Sequence, residues 1–485
     1  MTGSPTLRAA LASFPPSRVV ERDVLRAAAV RGATVVILDD DPTGTQTVDD
    51  LPIVTAWQPS DLEWAFERAS TGFCVLTNSR SLNASDARAR NAEVVAAVET
   101  AAAGRPYTVI SRGDSTLRGH HIEEIDEVVR SLAGVGWGEV DAVLVVPAFP
   151  DARRITVDST HWVVDGGDYV PAAESSFARD ATFGYASSDL REFTEERSAG
   201  AHPASTVERI TLDVVRGDPA LLVAAIEAVG DGRHIVVDAA DENDLRCISL
   251  AALDAEAHGH RLLYRSSPGL LRSRLGQSPH PPLGESDVAA AVSRARAATA
   301  HGLVVVGSHV PLSTRQLSHL VAHDPGVEHL VLDVRSLLDP LGAQDAIDDT
   351  VRLASAALAH SDVVLSTSRE RVDGTDGDDS LRIARAVSRA IVAVTAGILR
   401  LARPAFLIGK GGITSSDLAT DAVGLRRATI LGSLLPGMVS VWQSGDPTLD
   451  DVSGIPYAVF PGNVGSDDSL AQAVAAFRAG ANSIG

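Results

Sequence analysis

The sequence predicts an α/β protein made of two α/β domains with mostly parallel sheets, its active site in the cleft between them. Three observations carry this prediction. Short runs of continuous apolar residues alternate with longer amphipathic stretches, the pattern of strands buried on both faces and separated by helices. A Pro-, Gly- and Ser-rich segment at residues 266–286 interrupts the alternation, as a linker does. The chain, at 485 residues, also exceeds one ordinary core, since domains cluster at about 100–200 residues.

Each element follows from its local pattern. In the first half, apolar runs place strands at 34–38 (TVVIL), 73–76 (FCVL), 107–110 (YTVI), 142–146 (AVLVV) and 234–237 (HIVV). Alanine- and arginine-rich segments of helical spacing lie at 84–103, 122–132, 219–229 and 243–258. Residues 165–203 lack a strong period and are expected to form a lid or an excursion from the sheet. Beyond the linker, strands fall at 303–306, 329–332, 363–365, 405–408 and 439–442, with helices at 287–300, 344–359 and 379–401. The expected organisation is a substrate domain over 1–270, the linker, and a second α/β domain over 287–485. No repeat of 20–50 residues is visible, which argues against a solenoid or propeller.

Composition narrows the function. Apolar residues make up 45% and charged residues 22% of the chain, the balance of a folded globular protein. Forty-two basic and 63 acidic side chains leave a formal charge of −21. A field of that sign repels nucleic-acid backbones and anionic lipid, so neither is an expected partner. An anionic small molecule could bind only at a local arginine cluster or an array of backbone N–H groups. Cys74 and Cys247 lie within apolar stretches and read as buried thiols of a reducing compartment. No apolar run approaches the ~20 residues of a membrane span, and the proline-broken start is too weakly apolar for a signal peptide; the expectation is a cytoplasmic protein. Lys410 is the single lysine among the 42 basic residues, and a planar guanidinium is not interchangeable with its compact ammonium.

The chemistry concentrates after strands. Asp39-Asp40-Asp41-Pro42-Thr43-Gly44 follows the first strand, at the edge where open α/β sheets bind ligands. Adjacent carboxylates repel, so the run needs arginines, a metal or a shared proton. Arg112-Gly113-Asp114-Ser115-Thr116-Leu117-Arg118-Gly119 follows the 107–110 strand, and Arg80 follows 73–76. These arginines suit bidentate capture of a carboxylate. His120 and His121, at a helix start, read as a surface or capping pair. In the second half, Gly409-Lys410-Gly411-Gly412-Ile413-Thr414 leaves a strand and opens a helix, so glycine backbone and helix N–H groups can approach phosphates. It is not a Walker A loop. Gly307-Ser308, Pro436-Gly437 and Gly462-Asn463-Val464-Gly465 are companion strand exits. A carboxylate–arginine pocket in one domain and a phosphate-cradling one in the other suit phosphoryl transfer.

These residues resemble the four-carbon acid sugar kinase family, whose members phosphorylate threonate-, erythronate- or 3-oxo-tetronate-type acids with ATP. The resemblance runs from Thr34 to Gly465. The D-D-x-T-G motif matches Asp40 to Gly44, and R-x-D-S-T-L-R-G matches Arg112 to Gly119 in full. Phe149-Pro150 through Arg154 and Thr156 fits F-P-x-x-x-R-x-T less specifically. The resemblance implies a sugar-acid-binding N-terminal domain and a nucleotide-binding C-terminal one. Arg80, Arg112 and Arg118 would hold the substrate's carboxylate and hydroxyls, with Asp114 and Ser115 beside them. Asp40 is the candidate base and Asp41 an electrostatic or Mg2+-linked partner, the assignment between the two staying open. ATP would meet Ser308, Lys410, Gly411, Gly412, Ile413, Thr414, Gly437, Gly462 and Asn463, with Mg2+ carried mainly by phosphates and water. No protein metal site is expected, and a homodimer is a guess from the class. Two departures fall in the nucleotide half: Ile413 stands where many members are acidic, and Phe460-Pro461 where many have K-S. Lys410 could replace the lost lysine.

Two readings from other classes compete. Asp39-x-Asp41-x-Thr43 after an apolar strand also fits a haloacid-dehalogenase-like, Mg2+-dependent phosphatase with Asp39 as nucleophile, although the only lysine lies more than 300 residues downstream. The departures at Ile413 and Phe460-Pro461 suit a nucleotide and sugar-acid sensor without transfer chemistry. A dehydrogenase lacks its G-x-G-x-x-G after any first-half strand.

Overall fold

The computed structural model describes residues 5–339, 342–369, 377–445 and 454–483. The chain divides into two compact units, Met1–Val48 with Ala56–Pro279, and Asp49–Thr55 with His280–Gly485. Its first strands are Thr34–Asp39 (β1), Leu51–Val54 (β2), Gly72–Leu76 (β3), Tyr107–Arg112 (β4), Ala142–Val146 (β5) and Ile155–Val157 (β6). Then come Thr160–Asp165 (β7), Asp168–Pro171 (β8), Glu208–Ile210 (β9), Arg233–Val237 (β10), Leu262–Ser266 (β11) and Leu303–Val306 (β12). Val327–Leu332 (β13), Asp362–Thr367 (β14), Leu407–Lys410 (β15), Arg427–Ser433 (β16), Ser440–Gln443 (β17) and Tyr457–Phe460 (β18) complete the set.

In the first unit a fully parallel sheet runs β3-β1-β4-β11-β5-β10-β9. The β-branched run of β1 suits this position: Val35, Val36 and Ile37 have no accessible surface and lie between two neighbouring strands. The chain leaves β1 for β3 on one side and later enters β4 on the other, so β1 is a topological switch point. At its C-terminal edge, loops diverge and leave a crevice. The covering helices begin where the sequence supplies caps. Asn83 accepts the Asp86 N–H at 2.9 Å and starts the Ala84–Ala102 helix, and Asp241 with Asp244 forms a capping box on Glu242–Ala257.

In the second unit, β13-β14-β12-β15-β18 are parallel and β17, β16 and β2 continue the sheet antiparallel. Its core gathers Val304, Val306, Phe406, Ile408, Leu470 and Phe477, with the Phe406 and Phe477 rings stacked at 4.7 Å. No helix among the described residues is long and apolar enough to cross a membrane.

The structure departs from the sequence expectation in four places. Residues 268–274 are not linker: Pro268–Arg274 is a helix of the first unit, with Leu270, Leu271 and Arg274 fully buried. Ser267 caps it and Pro268 occupies its first position, where proline is helix-compatible. Within the expected excursion lies part of a small antiparallel sheet, β6-β7-β8, whose Ile155, Val157 and Trp162 pack with Leu7 and Leu212. The strand expected at 405–408 forms two residues later, as Leu407–Lys410, which draws Lys410 into the sheet. His120 and His121 are buried, their rings edge-on against Phe183 and Phe193 respectively, so they are packing residues and not a surface pair.

Candidate functional site

The first unit assembles its site at the switch point. Register places Asp39 of β1 opposite Leu76 of β3 and Arg112 of β4, so the residues following all three strands meet at one edge. Arg112 pairs with Asp39 and lies 3.2 Å from Asp40. Its guanidinium passes where a Cβ on Gly44 would stand, which is why that position needs glycine. Arg80 grips Asp40 through two contacts, 2.6 and 3.1 Å, and lies 3.4 Å from Asp41. The two arginines thus offset most of the charge of three adjacent carboxylates that could not otherwise share a turn.

The three aspartates are not equivalent. Asp39 has no accessible surface, and burial, opposed by Arg112, pushes its carboxyl up to about 7. Asp40 is almost equally enclosed, its side chain 2% exposed, whereas the Asp41 side chain keeps 17%. Burial raises the Asp41 carboxyl, but Arg80, Arg112 and the Thr43 hydroxyl outweigh it and hold the group below the ordinary range. Asp41 also accepts the Thr43 N–H at 2.8 Å, fixing the Pro42–Thr47 turn.

Beside this lattice, Asp114 accepts from Arg118 Nε at 2.7 Å and from the Thr116 N–H at 3.1 Å. Burial works against its ionised form, yet Arg118, Arg80 and Arg154 hold the carboxyl well below the usual carboxylate range. Arg154 donates to Ser115. Arg118 and Arg154 both lie over the Phe177 ring, at 5.4 and 5.6 Å. Beneath, Arg265 of β11 binds Glu124 and Ser111, each at 2.7 Å. The result is a strand-end cluster of interlocked arginines and carboxylates in which Arg118, Arg80, Asp41 and Asp114 keep some access, suited to an anionic, hydroxyl-bearing small molecule.

The second unit builds a different site at its own strand exits. Val306 of β12 lies opposite Lys410 of β15, and Lys410 opposite Phe460 of β18. A Cβ on Gly411 would stand 2.9 Å from the Ser308 Cβ, one on Gly462 2.8 Å from the Ser308 Oγ, and one on Gly307 would collide with Thr414. Gly411 also has φ +119°, a conformation that side chains resist. Bare backbone therefore walls the surroundings of Ser308, as a phosphate cradle requires. Ser440 of antiparallel β17 faces Val459, so the exposed Pro436-Gly437 turn stands at the end where β18 delivers Gly462 and Asn463. Ile413 is 62% exposed at the mouth of the Gly411 turn. Lys410 has no accessible surface. Its ammonium donates to the Pro461 carbonyl and lies 3.9 Å over the Phe460 ring, and burial pushes it down to about 7. Among the described residues no group of three or more His, Cys, Asp or Glu side chains is placed to ligate a metal.

Family comparison matches residues 35–274 to a sugar-binding N-terminal domain and residues 303–470 to a nucleotide-binding C-terminal domain. The chain belongs to the four-carbon acid sugar kinase family. Among solved structures, a Salmonella typhimurium LT2 protein provisionally named a tRNA synthase aligns over 91% of this chain and 98% of its own, at 16% identity and TM-score 0.66. A Haemophilus influenzae protein from a domain family without an assigned function aligns over 91% and 100%, at 17% identity and TM-score 0.60. At such identities these likenesses speak for the fold alone. None of the curated proteins compared matches the chain.

Within this family frame, Asp40, Asp41, Arg80, Arg112, Asp114, Ser115 and Arg118 share one edge of the sugar-binding unit. Ser308, Lys410, Gly411, Gly412, Thr414, Gly462 and Asn463 share one edge of the nucleotide-binding unit. Arg112 differs from expectation in access: it is 2% exposed and turned to the aspartates. The phosphatase reading needs Asp39 as an open nucleophile, and Asp39 is sealed against Arg112. Sequence reasoning did not single out Phe177, Glu124 or Arg265. Arg265 had a legible signal, since LLYRS carries a basic residue at the end of an apolar strand much as YTVISR does. Phe177, in a segment without period, had none.

Proposed function

We propose that the protein is an ATP-dependent kinase that transfers a phosphoryl group to a hydroxyl of a four-carbon sugar acid. The observation that carries this reading is Asp41, an ionised carboxylate with solvent access set among arginines at the switch point of a sugar-binding sheet. Arg118 and Arg154, less committed than Arg112, take the substrate carboxylate, and Asp114 with Ser115 accepts and donates to its hydroxyls. Arg80 and Arg112 set the charge of the pocket and hold the Asp40 side chain in place. Asp41, not Asp40, then receives the proton of the attacking hydroxyl. A base held below the ordinary range suffices because the transition state is loose and the proton leaves late.

ATP, with Mg2+ carried by its phosphates and water, supplies the phosphoryl group: the hydroxyl oxygen bonds to the γ-phosphorus as the β–γ bridge breaks and ADP departs. Glycines 307, 411, 412 and 462 let the backbone approach the phosphates, with Ser308 and Thr414 between them and Ile413, Gly437 and Asn463 at the rim. Lys410 works from beneath, holding the Pro461 carbonyl and so the turn that presents Gly462. It sits on the strand position directly opposite Phe460, which supports its replacing the lysine that many family members have there.

The test is an ADP-release assay with MgATP across threonates, erythronates and their 3-oxo forms. Acid-dependent ADP release, lost in Asp41→Asn and Arg118→Ala, is expected. ATP binding with no turnover on any acid would instead establish the sensor reading. Turnover retained in both variants would overturn the assigned roles.

A further inference from the structure

Arg369 follows β14, whose Ser366 lies opposite Val306 of β12, so it leaves the sheet beside Ser308. Its Nη2 donates to the Ser308 carbonyl at 2.6 Å and to the Thr314 hydroxyl at 2.7 Å. The guanidinium is thereby fixed on the residue around which Gly411 and Gly462 close. Its Nε and Nη1 are shut off from water without an acceptor, and among the described residues no carboxylate pairs with it. Buried arginines of this chain carry one: Arg112 has Asp39, Arg265 has Glu124, and Arg274 has Glu256. Burial pulls the Arg369 guanidinium below its ordinary range, and its charge adds to the burial that holds His329 down. A half-buried cation whose Nε and Nη1 find neither water nor an acceptor is costly. Orphaned buried donors in a native structure point to a missing partner, which for a guanidinium is an oxyanion.

We propose that Arg369 is the anion-binding cation of the second unit and neutralises a phosphate group of the nucleotide lying against Gly307, Gly411 and Gly462. This rests on the nucleotide reading of that unit. It divides the work of the two cations there: Lys410 shapes the turn from inside the sheet, and Arg369 supplies the charge. Site occupancy therefore requires phosphate, and a nucleoside alone is a poor ligand.

The test is calorimetric titration of the full chain with inorganic tripolyphosphate and, separately, with ATP. Removing a charged hydrogen-bond partner costs about 10- to 100-fold in affinity, so Arg369→Ala is expected to weaken both ligands by that factor. Arg369→Lys, a point charge without the fork, is expected to recover part of the loss. Equal binding by wild type and Arg369→Ala overturns the inference, as does a wild type that does not bind tripolyphosphate. Tripolyphosphate binding that depends on Arg369, with no ATP binding, would leave the anion site standing and remove the ATP reading. Acid-dependent ADP release unimpaired in both variants would do the reverse. If Arg369→Ala does not fold, Arg369→Gln, which keeps a long polar side chain and removes the charge, decides in its place: wild-type affinity for tripolyphosphate in that variant overturns the proposal.

Discussion

Asp40 and Asp41 are chemically identical neighbours, and their surroundings give them different work. Asp40 is locked by Arg80 and Arg112, so Asp40→Asn leaves buried guanidiniums under-compensated and is expected to cost about 3–5 kcal/mol of stability, read as a fall in Tm. Asp41→Asn should lower kcat by roughly 10²- to 10⁴-fold with little change in Tm. A large Tm loss in Asp41→Asn with kcat retained would reverse the two roles. At Gly411, the positive φ and the nearby Ser308 Cβ predict that Gly411→Ala strains the turn by about 1–3 kcal/mol. Nucleotide affinity should fall by about 10-fold or more while sugar-acid affinity holds, checked by separate titrations. Lys410, with its ammonium pushed down to about 7 by burial, binds fewer protons folded than unfolded between that pH and about 10.4. Its contribution to stability therefore grows as pH rises through this window, and Lys410→Met should flatten the rise in Tm between pH 7 and pH 9.

At the scale of elements, the segment from β6 to the Leu190–Arg197 helix does more than decorate the sheet. His161 of β7 donates from Nε2 to the Ser115 carbonyl at 2.8 Å, while Tyr185 donates to the Thr116 carbonyl at 2.9 Å. Phe177 backs both Arg118 and Arg154. These contacts shape the loop after β4, so Phe177→Ala should raise KM for the sugar acid roughly 5- to 30-fold, consistent with losing two partly desolvated cation–π contacts. KM for ATP should not move. Equal increases in both would mean that the segment serves only stability. The same element carries a pH dependence. His161 is fully buried, and burial holds it down to about 4 against an ordinary 6.5. Its stabilising contribution is complete above pH 6.5 and is lost as pH falls toward 4, amounting to roughly 3 kcal/mol. Asp238, pushed up to about 6 by burial, works in the opposite direction over the same range. His161→Gln isolates the histidine term: the Tm gap between wild type and variant should narrow from pH 7 to pH 4, and a constant gap would refute it.

For the whole molecule, each unit has its own core and its own edge of strand exits. A ligand stabilises the unit that binds it in proportion to the logarithm of its concentration over Kd. Sugar acid is therefore expected to raise the melting transition of the first unit and nucleotide that of the second, followed by calorimetry with each ligand alone. The parallel strands of both units were legible in the sequence because strands buried on both faces must be continuously apolar, and VVIL, FCVL and VLVV admit few other readings. The charged residues after them were legible as well, since a parallel sheet sends the C-terminal ends of its strands to one edge. Short or half-exposed elements such as β2, β6 and β16 were not, because three to seven residues carry too little periodicity against their flanking turns. The Pro268–Arg274 helix was hidden by a composition that reads as linker until its burial is known. What the sequence determined by itself is the α/β class, the family, and which side chains reach each ligand-binding edge, all properties of local pattern and strand direction. Which aspartate keeps its access, which arginines are spent on internal pairing, and that Arg369 lies beside Ser308 were decided only by tertiary structure, because burial and charge pairing depend on neighbours brought together from distant parts of the chain.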